Sequence, residues 1–260
     1  MSPFLFAMGN ESEFLIKSSW MMIFLGALTF LNMNFINAPY GRYASSKYGF
    51  PVKVKVAWLI QELPSLIVPL CLLFSADNKP LELPNFLLLG LFICHYTHRS
   101  LVYPFLIRGG KSTPFIPFAL AFIFCAFNGY LQARYLIKYA VYPSDWITGP
   151  RFLTGSAFWF LGFLVNLHSD HILRNLRKPG ETGYKIPRGG MFEYISGANF
   201  FGEIVEWMGY AVASWSLPTM AFALFGFLFL SSRAAQHHRW YLEKFEDYPK
   251  TRKILIPLCL

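Results

Sequence analysis

Charged residues are scarce in this chain. Asp, Glu, Lys and Arg make up 14% of its 260 residues, whereas 55% of the residues are hydrophobic. A soluble domain usually carries about 25% charged residues, so too few polar side chains are present to cover a water-soluble globule. The mean hydropathy of +0.38 agrees with this. The composition therefore indicates a polytopic membrane protein.

Metal ligands and nucleotide motifs are scarce as well. The four cysteines lie singly in or beside apolar segments, which suits neither a disulfide framework nor a metal site; they are Cys71, Cys94, Cys125 and Cys259. The six histidines lack matching acidic ligands and are too few for a di-iron centre, so we expect no metal. Neither G-x-G-x-x-G nor G-x-x-x-x-G-K-S/T occurs. A nucleotide would have to be bound by the membrane fold itself.

Seven segments have about 20 mainly apolar residues, the length that a membrane-spanning helix needs. They are 14–36, 52–74, 83–107, 114–140, 150–175, 198–217 and 218–243. They predict an all-α membrane protein, a seven-transmembrane-helix bundle that forms a single domain over residues 1–260. No internal repeat is present, which disfavours the inverted-repeat architecture of many transporters.

Basic residues fall mainly at alternate connections. The connections between segments 1 and 2, 3 and 4, and 5 and 6, with the C-terminal tail, hold most of them, including Arg42, Lys53, Arg108, Lys111, Lys178, Arg188, Arg239 and Arg252. The other side holds few: Lys17, Lys79, Arg134, Lys138 and Arg151. The positive-inside rule therefore predicts an N-terminus outside or in the lumen and a C-terminus in the cytosol.

Two stripes of polar residues at helical spacing flank the fifth connection. They consist of Asn166, Asp170, Arg174 and Arg177 before it and Asn199, Glu203 and Glu206 after it. Polar stripes on membrane-length segments are costly unless they face each other, water or a ligand. We interpret them as the walls of a site.

The loop between the stripes combines glycines, such as Gly183 and Gly189, with basic residues, such as Lys185 and Arg188. Glycine lets backbone approach a ligand closely, and basic side chains neutralise phosphates. This favours a phosphate-bearing cofactor that approaches from the cytosol. Nucleic acid is not expected, because no compact basic domain or recognised binding fold is present.

An acidic residue, Glu62, follows Gln61 in the middle of the second segment. At bilayer depth it costs about 2.5–3.5 kcal/mol on insertion scales, so we expect it to be neutral, paired or facing a hydrated pocket. Pro64 should kink the helix beside it. Glu62 could simply form an interhelical hydrogen bond. A protonated Glu62 would instead be a strong hydrogen-bond donor to a substrate oxygen.

Two further polar faces follow. Tyr96, Arg99 and Tyr103 share one helix face. Tyr103 could be an interfacial anchor, and Arg99 needs a partner. Tyr96 and Glu62 together could donate two hydrogen bonds to a ketone. Arg233, His237 and Tyr241 share a face of the last segment. They form either a solvated amphipathic extension or a set of donors for cofactor phosphates or nicotinamide.

These motifs resemble the steroid 5α-reductase (3-oxo-5α-steroid 4-dehydrogenase) family from about segment 2 to the C-terminus. The resemblance rests on residues 61–65 (QELPS), 95–99 (HYTHR), 166–170 (NLHSD), 176–181 (LRKPGE), 196–200 (SGANF), 202–207 (GEIVEW) and 245–250 (FEDYPK). It implies a seven-helix membrane enzyme that uses NADPH to reduce the 4,5 double bond of a 3-oxo-Δ4 steroid.

The resemblance also implies roles for individual residues. Glu62 and Tyr96 would bind the steroid C3 ketone, supported by Gln61, and Trp58 and Arg99 would contact the substrate. The positions that match NADPH-binding residues are Asn166, Asp170, Arg177, Asn199, Glu203, Arg233, His237 and Tyr241, with Tyr103 and Arg108 less directly implicated. The expected partners are the steroid and membrane lipid. Nothing in the sequence indicates an oligomeric state.

Other functions are compatible with parts of this pattern. A related sterol reductase, or an isoprenylcysteine-type methyltransferase using S-adenosylmethionine, would share the general build. A transporter could use Glu62, Glu203 and Glu206 as intramembrane ion sites, but it would not need the one-sided basic loops. The expected location is the endoplasmic reticulum membrane in a eukaryote or the inner membrane in a bacterium.

Overall fold

The computed structural model describes residues 11–75, 81–178, 181 and 183–257. These residues are mostly helical. The helices are α1 (Glu11–Asn32), α2 (Val54–Glu62), α3 (Pro64–Phe74), α4 (Leu83–Thr97), α5 (Tyr103–Leu106), α6 (Phe115–Arg134), α7 (Pro150–Arg174), α8 (Ala198–Ser214) and α9 (Leu217–Lys244). The predictions for Lys79, Cys259 and the loop residues Pro179 and Gly180 lie outside the described residues.

Short elements complete the described chain. A π-helical turn, His98–Val102, joins α4 to α5, and a second one, Tyr135–Tyr139, continues α6. Strands β1 (Pro51–Val52) and β2 (Thr113–Pro114) pair antiparallel. The predicted all-α membrane architecture is confirmed, with only this two-residue pairing as regular sheet among the described residues.

Five helical stretches are long and apolar enough to cross a membrane: Glu11–Asn32, Val54–Phe74, Phe115–Tyr139, Pro150–Arg174 and Leu217–Lys244. The other two predicted segments, 83–107 and 198–217, form shorter helices. α4 has 15 residues before its π-helical turn. α8 has 17 residues and ends at Trp215, whose backbone is left-handed (φ 48°). The described residues thus form a helical membrane protein with five candidate spans of full length.

Successive connections gather at opposite ends of the bundle. At one end, Asn85 Nδ2 donates to the Leu136 carbonyl (2.8 Å) and Trp146 Nε1 donates to the Ala213 carbonyl (3.0 Å). At the other end, β1 pairs with β2, and Ile195 bridges to Lys253. When successive helices run in opposite directions, every second connection lies at the same end of the bundle. Each of these contacts joins two parts of the chain that such an arrangement places at the same end.

α7 and α8 pack backbone against backbone through glycines spaced seven residues apart. A Cβ atom built on Gly155 would lie 2.6 Å from the Gly209 carbonyl oxygen, and one built on Gly202 would lie 2.8 Å from the Gly162 carbonyl oxygen. Because no side chain separates the helices at these points, the polar stripes that they carry are brought into direct contact.

The first turn of α1 is anchored by a single carboxylate. Glu11 accepts hydrogen bonds from Tyr130 (2.8 Å), Arg134 (2.7 and 3.1 Å), Lys138 (2.7 Å) and Tyr139 (2.7 Å). All four partners lie on α6 or on its π-helical extension. Glu11 therefore ties α1 to the end of α6.

We expect Glu11→Gln to destabilise the protein by about 2 kcal/mol, because hydrogen bonds to charged groups contribute about 1.5–3 kcal/mol each and an amide cannot accept from all four donors. The measurement is the thermal midpoint in detergent. Glu13→Gln is the matched control, since Glu13 lies on the exposed face of the same turn and pairs only with Lys17. Equal midpoints for both variants would contradict the anchoring role.

Candidate active site

The boundary between α2 and α3 carries Glu62. α2 ends at Glu62, and Pro64 is the first residue of α3. Pro64 has no amide hydrogen to donate to the carbonyl of Ile60, so the helix is divided at Leu63. The sequence predicts a kink at this place. The division puts the last side chain of α2 beside α6.

The Glu62 carboxyl has two hydrogen-bond contacts among the described residues. Gln61 Nε2 lies 3.5 Å from Oε1, and Cys125 Sγ lies 3.7 Å from Oε2. Among the described residues, no Lys, Arg or His forms an ion pair with Glu62. A carboxyl that is partly shielded from water and has no bound cation can act as a hydrogen-bond donor in its protonated form.

Tyr96 is 4% exposed and lies in an aromatic layer. Its ring centroid is 4.7 Å from that of Phe92 and 5.9 Å from that of Trp207. No hydrogen bond joins the Tyr96 hydroxyl to Glu62, so each of the two predicted ketone donors keeps its hydrogen for another acceptor. The stacked rings hold the phenol in place.

Arg99 links four elements of the fold. Its guanidinium donates to Asp170 on α7 (3.0 Å) and to Glu203 on α8 (3.2 Å). The same group lies 5.0 Å from the ring centroid of Trp58 on α2 and 4.8 Å from that of Tyr103 on α5. Arg99 therefore has the partner that a buried cation requires, and four predicted site residues surround it.

The two polar stripes face each other within the bundle and diverge at its end. Asn166 Nδ2 donates to the backbone carbonyl of Asn199 (2.9 Å). One helical turn farther along, Asp170 and Glu203, one from each stripe, both accept hydrogen bonds from Arg99. Farther along, the side-chain hydrogen bond that Arg174 forms among the described residues is with His171 of its own helix (3.0 Å). Arg177 reaches the carbonyl of Gly183 in the following loop (3.3 Å). The shared wall therefore extends from Asn166 to Asp170 and no farther.

A buried His–Glu pair adds to the wall. His95 Nδ1 lies 2.7 Å from Glu206 Oε1, and the two residues are 3% and 0% exposed. The His95 ring packs 4.5 Å from Trp207. Sequence reasoning considered His95 only as a metal ligand and missed this pair, although Glu206 belongs to a polar stripe and required a partner.

A second polar cluster lies on α9. Arg233 Nη2 is 3.2 Å from His237 Nε2, and Arg233 also lies 4.3 Å from the ring centroid of Tyr40. The His237 ring packs 5.3 Å from Phe200, the neighbour of Asn199. This contact brings the α9 cluster to the first turn of α8, so the predicted residues of α9 adjoin the α7–α8 wall.

The connection after α1 folds over this cluster. Tyr43 donates to the Gln236 carbonyl (2.9 Å), and burial raises the pKa of the Tyr43 phenol above its ordinary value, which keeps that hydrogen in place. Gln236 Nε2 donates to the carbonyls of Met33 (3.0 Å) and Ile36 (3.2 Å). Residues 33–43 are therefore fastened to α9 by one buried glutamine, a contact that no sequence motif signals.

Arg42, carried by the same connection, is a further residue that the sequence indicated only as a topology signal. Its Nη2 donates to the Tyr241 hydroxyl (3.2 Å), and its guanidinium lies 4.2 Å from the ring centroid of Trp240. Arg42 Nη1 and Arg233 Nε are buried without a hydrogen-bond partner among the described residues. Two buried cationic donors near each other are suited to an anion.

Arg108 lies outside these clusters. It is exposed and donates to Asn175 at the end of α7 (2.8 Å). Within the described part of the chain, no three His, Cys, Asp or Glu side chains are grouped so that they could hold a metal ion. The polar groups that converge are acids, amides, phenols and guanidinium groups.

The described helices enclose a carboxyl, a phenol and buried cationic donors that have no acceptor among them, an arrangement that suits an integral-membrane enzyme. The comparisons agree. Residues 111–260 match the family described as 3-oxo-5-alpha-steroid 4-dehydrogenase. The 3-oxo-5-alpha-steroid 4-dehydrogenase 1 of Bos taurus is 61% identical over 239 residues, covering 91% of this chain and 93% of that protein.

Two further relatives cover most of the chain. The 3-oxo-5-alpha-steroid 4-dehydrogenase 1 of Homo sapiens is 53% identical over 95% of this chain and 96% of its own length. The 3-oxo-5-alpha-steroid 4-dehydrogenase 2 of Sus scrofa is 50% identical over 84% and 86%. The chain belongs to the 3-oxo-5-alpha-steroid 4-dehydrogenase family, which is a family of oxidoreductases. The family resemblance seen in the sequence is confirmed.

Proposed function

We propose that this enzyme reduces the 4,5 double bond of 3-oxo-Δ4 steroids to 5α-reduced products with NADPH. The observation that carries the proposal is the Glu62 carboxyl, which lies in the bundle, forms no ion pair among the described residues, and has hydrogen-bond contacts there with Gln61 and Cys125. An acid in this setting suits the polarisation of a ketone. Membership of the family supports the choice of substrate.

Glu62 and Tyr96 act on the steroid C3 oxygen. Each donates a hydrogen bond to it, which draws electron density from the enone and leaves C5 electron-poor. As C5 is reduced, negative charge develops on the C3 oxygen, and the same two donors stabilise the enolate. A proton then reaches C4. Gln61 orients the Glu62 carboxyl, and Trp58, with Arg99 behind it, lines the steroid site.

The residues present fit NADPH. Its phosphates are anionic, and the buried donor atoms of Arg42 and Arg233 have no acceptor among the described residues. Asp170 and Glu203 each use one oxygen for Arg99, which leaves the other oxygen of each to accept from hydroxyl or amide groups. When bound, NADPH supplies the hydride. The chain would hold it with Asn166, Asp170, Asn199, Glu203, Arg233, His237 and Tyr241, aided by Tyr103, Arg108 and Arg177.

The function is tested with purified protein in detergent or lipid nanodiscs. NADPH absorbance is followed with C19 and C21 3-oxo-Δ4 steroids, and the product is examined for a gain of two hydrogens and for 5α or 5β configuration. S-Adenosylmethionine in place of NADPH tests a methyltransferase, and steroid flux into liposomes without chemical change tests a transporter. A steroid that is not reduced under any NADPH condition would contradict the proposal.

We expect Arg42→Ala to raise KM for NADPH by roughly tenfold or more, the loss corresponding to one charge-assisted hydrogen bond of about 1.5–3 kcal/mol, with kcat nearly unchanged at saturating NADPH. Lys47→Ala is the control, because Lys47 lies exposed on the same connection and its side chain forms no hydrogen bond or ion pair within the described chain. An unchanged KM for Arg42→Ala would remove this residue from the cofactor site.

We also propose that all seven predicted segments cross the membrane, with the N-terminus in the lumen and the C-terminus in the cytosol. The alternation of connections between the two ends of the bundle supports seven crossings, and the basic residues at the end that carries Arg42 and Lys253 support this orientation. The mammalian sources of the relatives favour the endoplasmic reticulum membrane over a bacterial inner membrane.

A further inference from the structure

The thiol of Cys125 contacts the carboxyl of Glu62, which in the proposed function donates a hydrogen bond to the substrate ketone. Cys125 Sγ lies 3.7 Å from Glu62 Oε2, on the side opposite the Gln61 amide at Oε1. The cysteine is 5% exposed. Its position on α6, far from α2 in sequence, makes the contact a product of the tertiary fold.

Two features fix the thiol beside the carboxyl. The Cys125 carbonyl oxygen accepts a hydrogen bond from Ser65 Oγ in the first turn of α3 (3.0 Å). One turn along α6, Gly129 packs so closely that a Cβ atom built on it would lie 3.2 Å from the Pro64 carbonyl oxygen. The backbone that carries the thiol therefore cannot move away from Glu62 unless α6 separates from the α2–α3 boundary.

We propose that Cys125 is a positioning residue: its S–H donates to Glu62 Oε2 and, together with Gln61 on Oε1, orients the carboxyl so that its own O–H faces the steroid ketone. This inference rests on the function proposed for Glu62. Both protein neighbours are donors, so the acid proton is not used within the protein and is left for the substrate.

A neutral thiol suits this task better than a charged donor. Hydrogen bonds to a carboxylate from charged groups favour the ionised form, and an ionised Glu62 would have no proton to donate. A thiol is a weak, neutral donor. It can fix the direction of the carboxyl while leaving the proton on it.

The test compares binding of a 3-oxo steroid with binding of its 3-deoxy analogue, in the presence of NADP⁺. We expect Cys125→Ala to weaken 3-oxo steroid binding about threefold to tenfold, as for loss of one neutral hydrogen bond, with 3-deoxy binding unchanged. Cys125→Ser, which keeps a donor, should restore most of the preference. Cys71→Ala, at an exposed cysteine on α3, is the matched control and should behave as wild type.

The same experiment with Glu62→Ala, which removes the donor altogether, separates two kinds of failure. If Glu62→Ala abolishes the preference for the 3-oxo steroid and Cys125→Ala leaves it intact, the positioning role is wrong and the role of Glu62 stands. If Cys125→Ala and Cys125→Ser weaken both ligands equally, the cysteine is only a packing residue, and the proposal is overturned. If Glu62→Ala leaves the preference intact, the ketone contact itself is wrong, and the positioning role falls with it.

Discussion

Glu62→Gln is expected to lower kcat for steroid reduction by about 100- to 1000-fold while the protein remains folded. Removal of one oxyanion donor costs about 2.7–4 kcal/mol in transition-state stabilisation, and an amide N–H is a much weaker acid than a carboxylic O–H. Glutamine has nearly the same shape as glutamate. It can keep the contact with Cys125, so packing at the α2–α3 boundary should be preserved.

The measurements are steady-state reduction of a 3-oxo-Δ4 steroid and the thermal midpoint in detergent. Glu82→Gln is the control, because Glu82 lies exposed immediately before α4 and carries the same chemical change outside the bundle. It should leave both quantities unchanged. Near-normal turnover by Glu62→Gln would show that the acid does not stabilise the enolate.

Gly162→Ala is expected to prevent the bundle from assembling. The added Cβ atom would lie 2.5 Å from the Gly202 carbonyl oxygen and 2.7 Å from Glu206 Cα, and it would overlap the Glu206 amide nitrogen. Overpacking usually costs about 1–3 kcal/mol when side chains can adjust. Here the opposing atoms belong to backbone, so α7 and α8 must separate, and the contacts of Arg99 with both helices are lost together.

The test for Gly162→Ala is the yield of monodisperse protein in detergent and its thermal midpoint. Gly226→Ala and Gly90→Ala are matched controls, because both glycines are helical and a Cβ atom built on either meets nothing within 4 Å. The controls should fold at least as well as wild type, since alanine favours helix over glycine. A stable Gly162→Ala protein would mean that the two backbones do not touch.

The sequence predicted the features that depend on local chemistry. An acid and a proline in an apolar segment locate the Glu62 boundary, since neither fits an uninterrupted membrane helix. The helical spacing of Asn166 and Asp170 locates one wall. The need of Arg99 for counter-charge predicts its acidic partners without saying which acids they are.

Features that depend on distant contacts were not predicted. Arg42 looked like a topology signal, because nothing in its surroundings places it against Trp240. Cys125 looked like a single cysteine in an apolar segment, because only the docking of α6 brings it to Glu62. One local signal was also missed: the segment at 83–107 looked like one uniform span, although Pro104 lacks the amide hydrogen that a continuous helix needs, and a π-helical turn precedes it.

The glycine contacts between α7 and α8 have a mechanical consequence. At the glycines, the peptide groups of the two helices touch and no side chain lies between them that could change rotamer, so we expect the two helices to move together. Asp170 lies on α7 and Glu203 lies on α8, so we expect the distance between their backbones to stay constant. We therefore expect the space for a broad, rigid ligand to open at the other helix interfaces, where packed side chains can change rotamer.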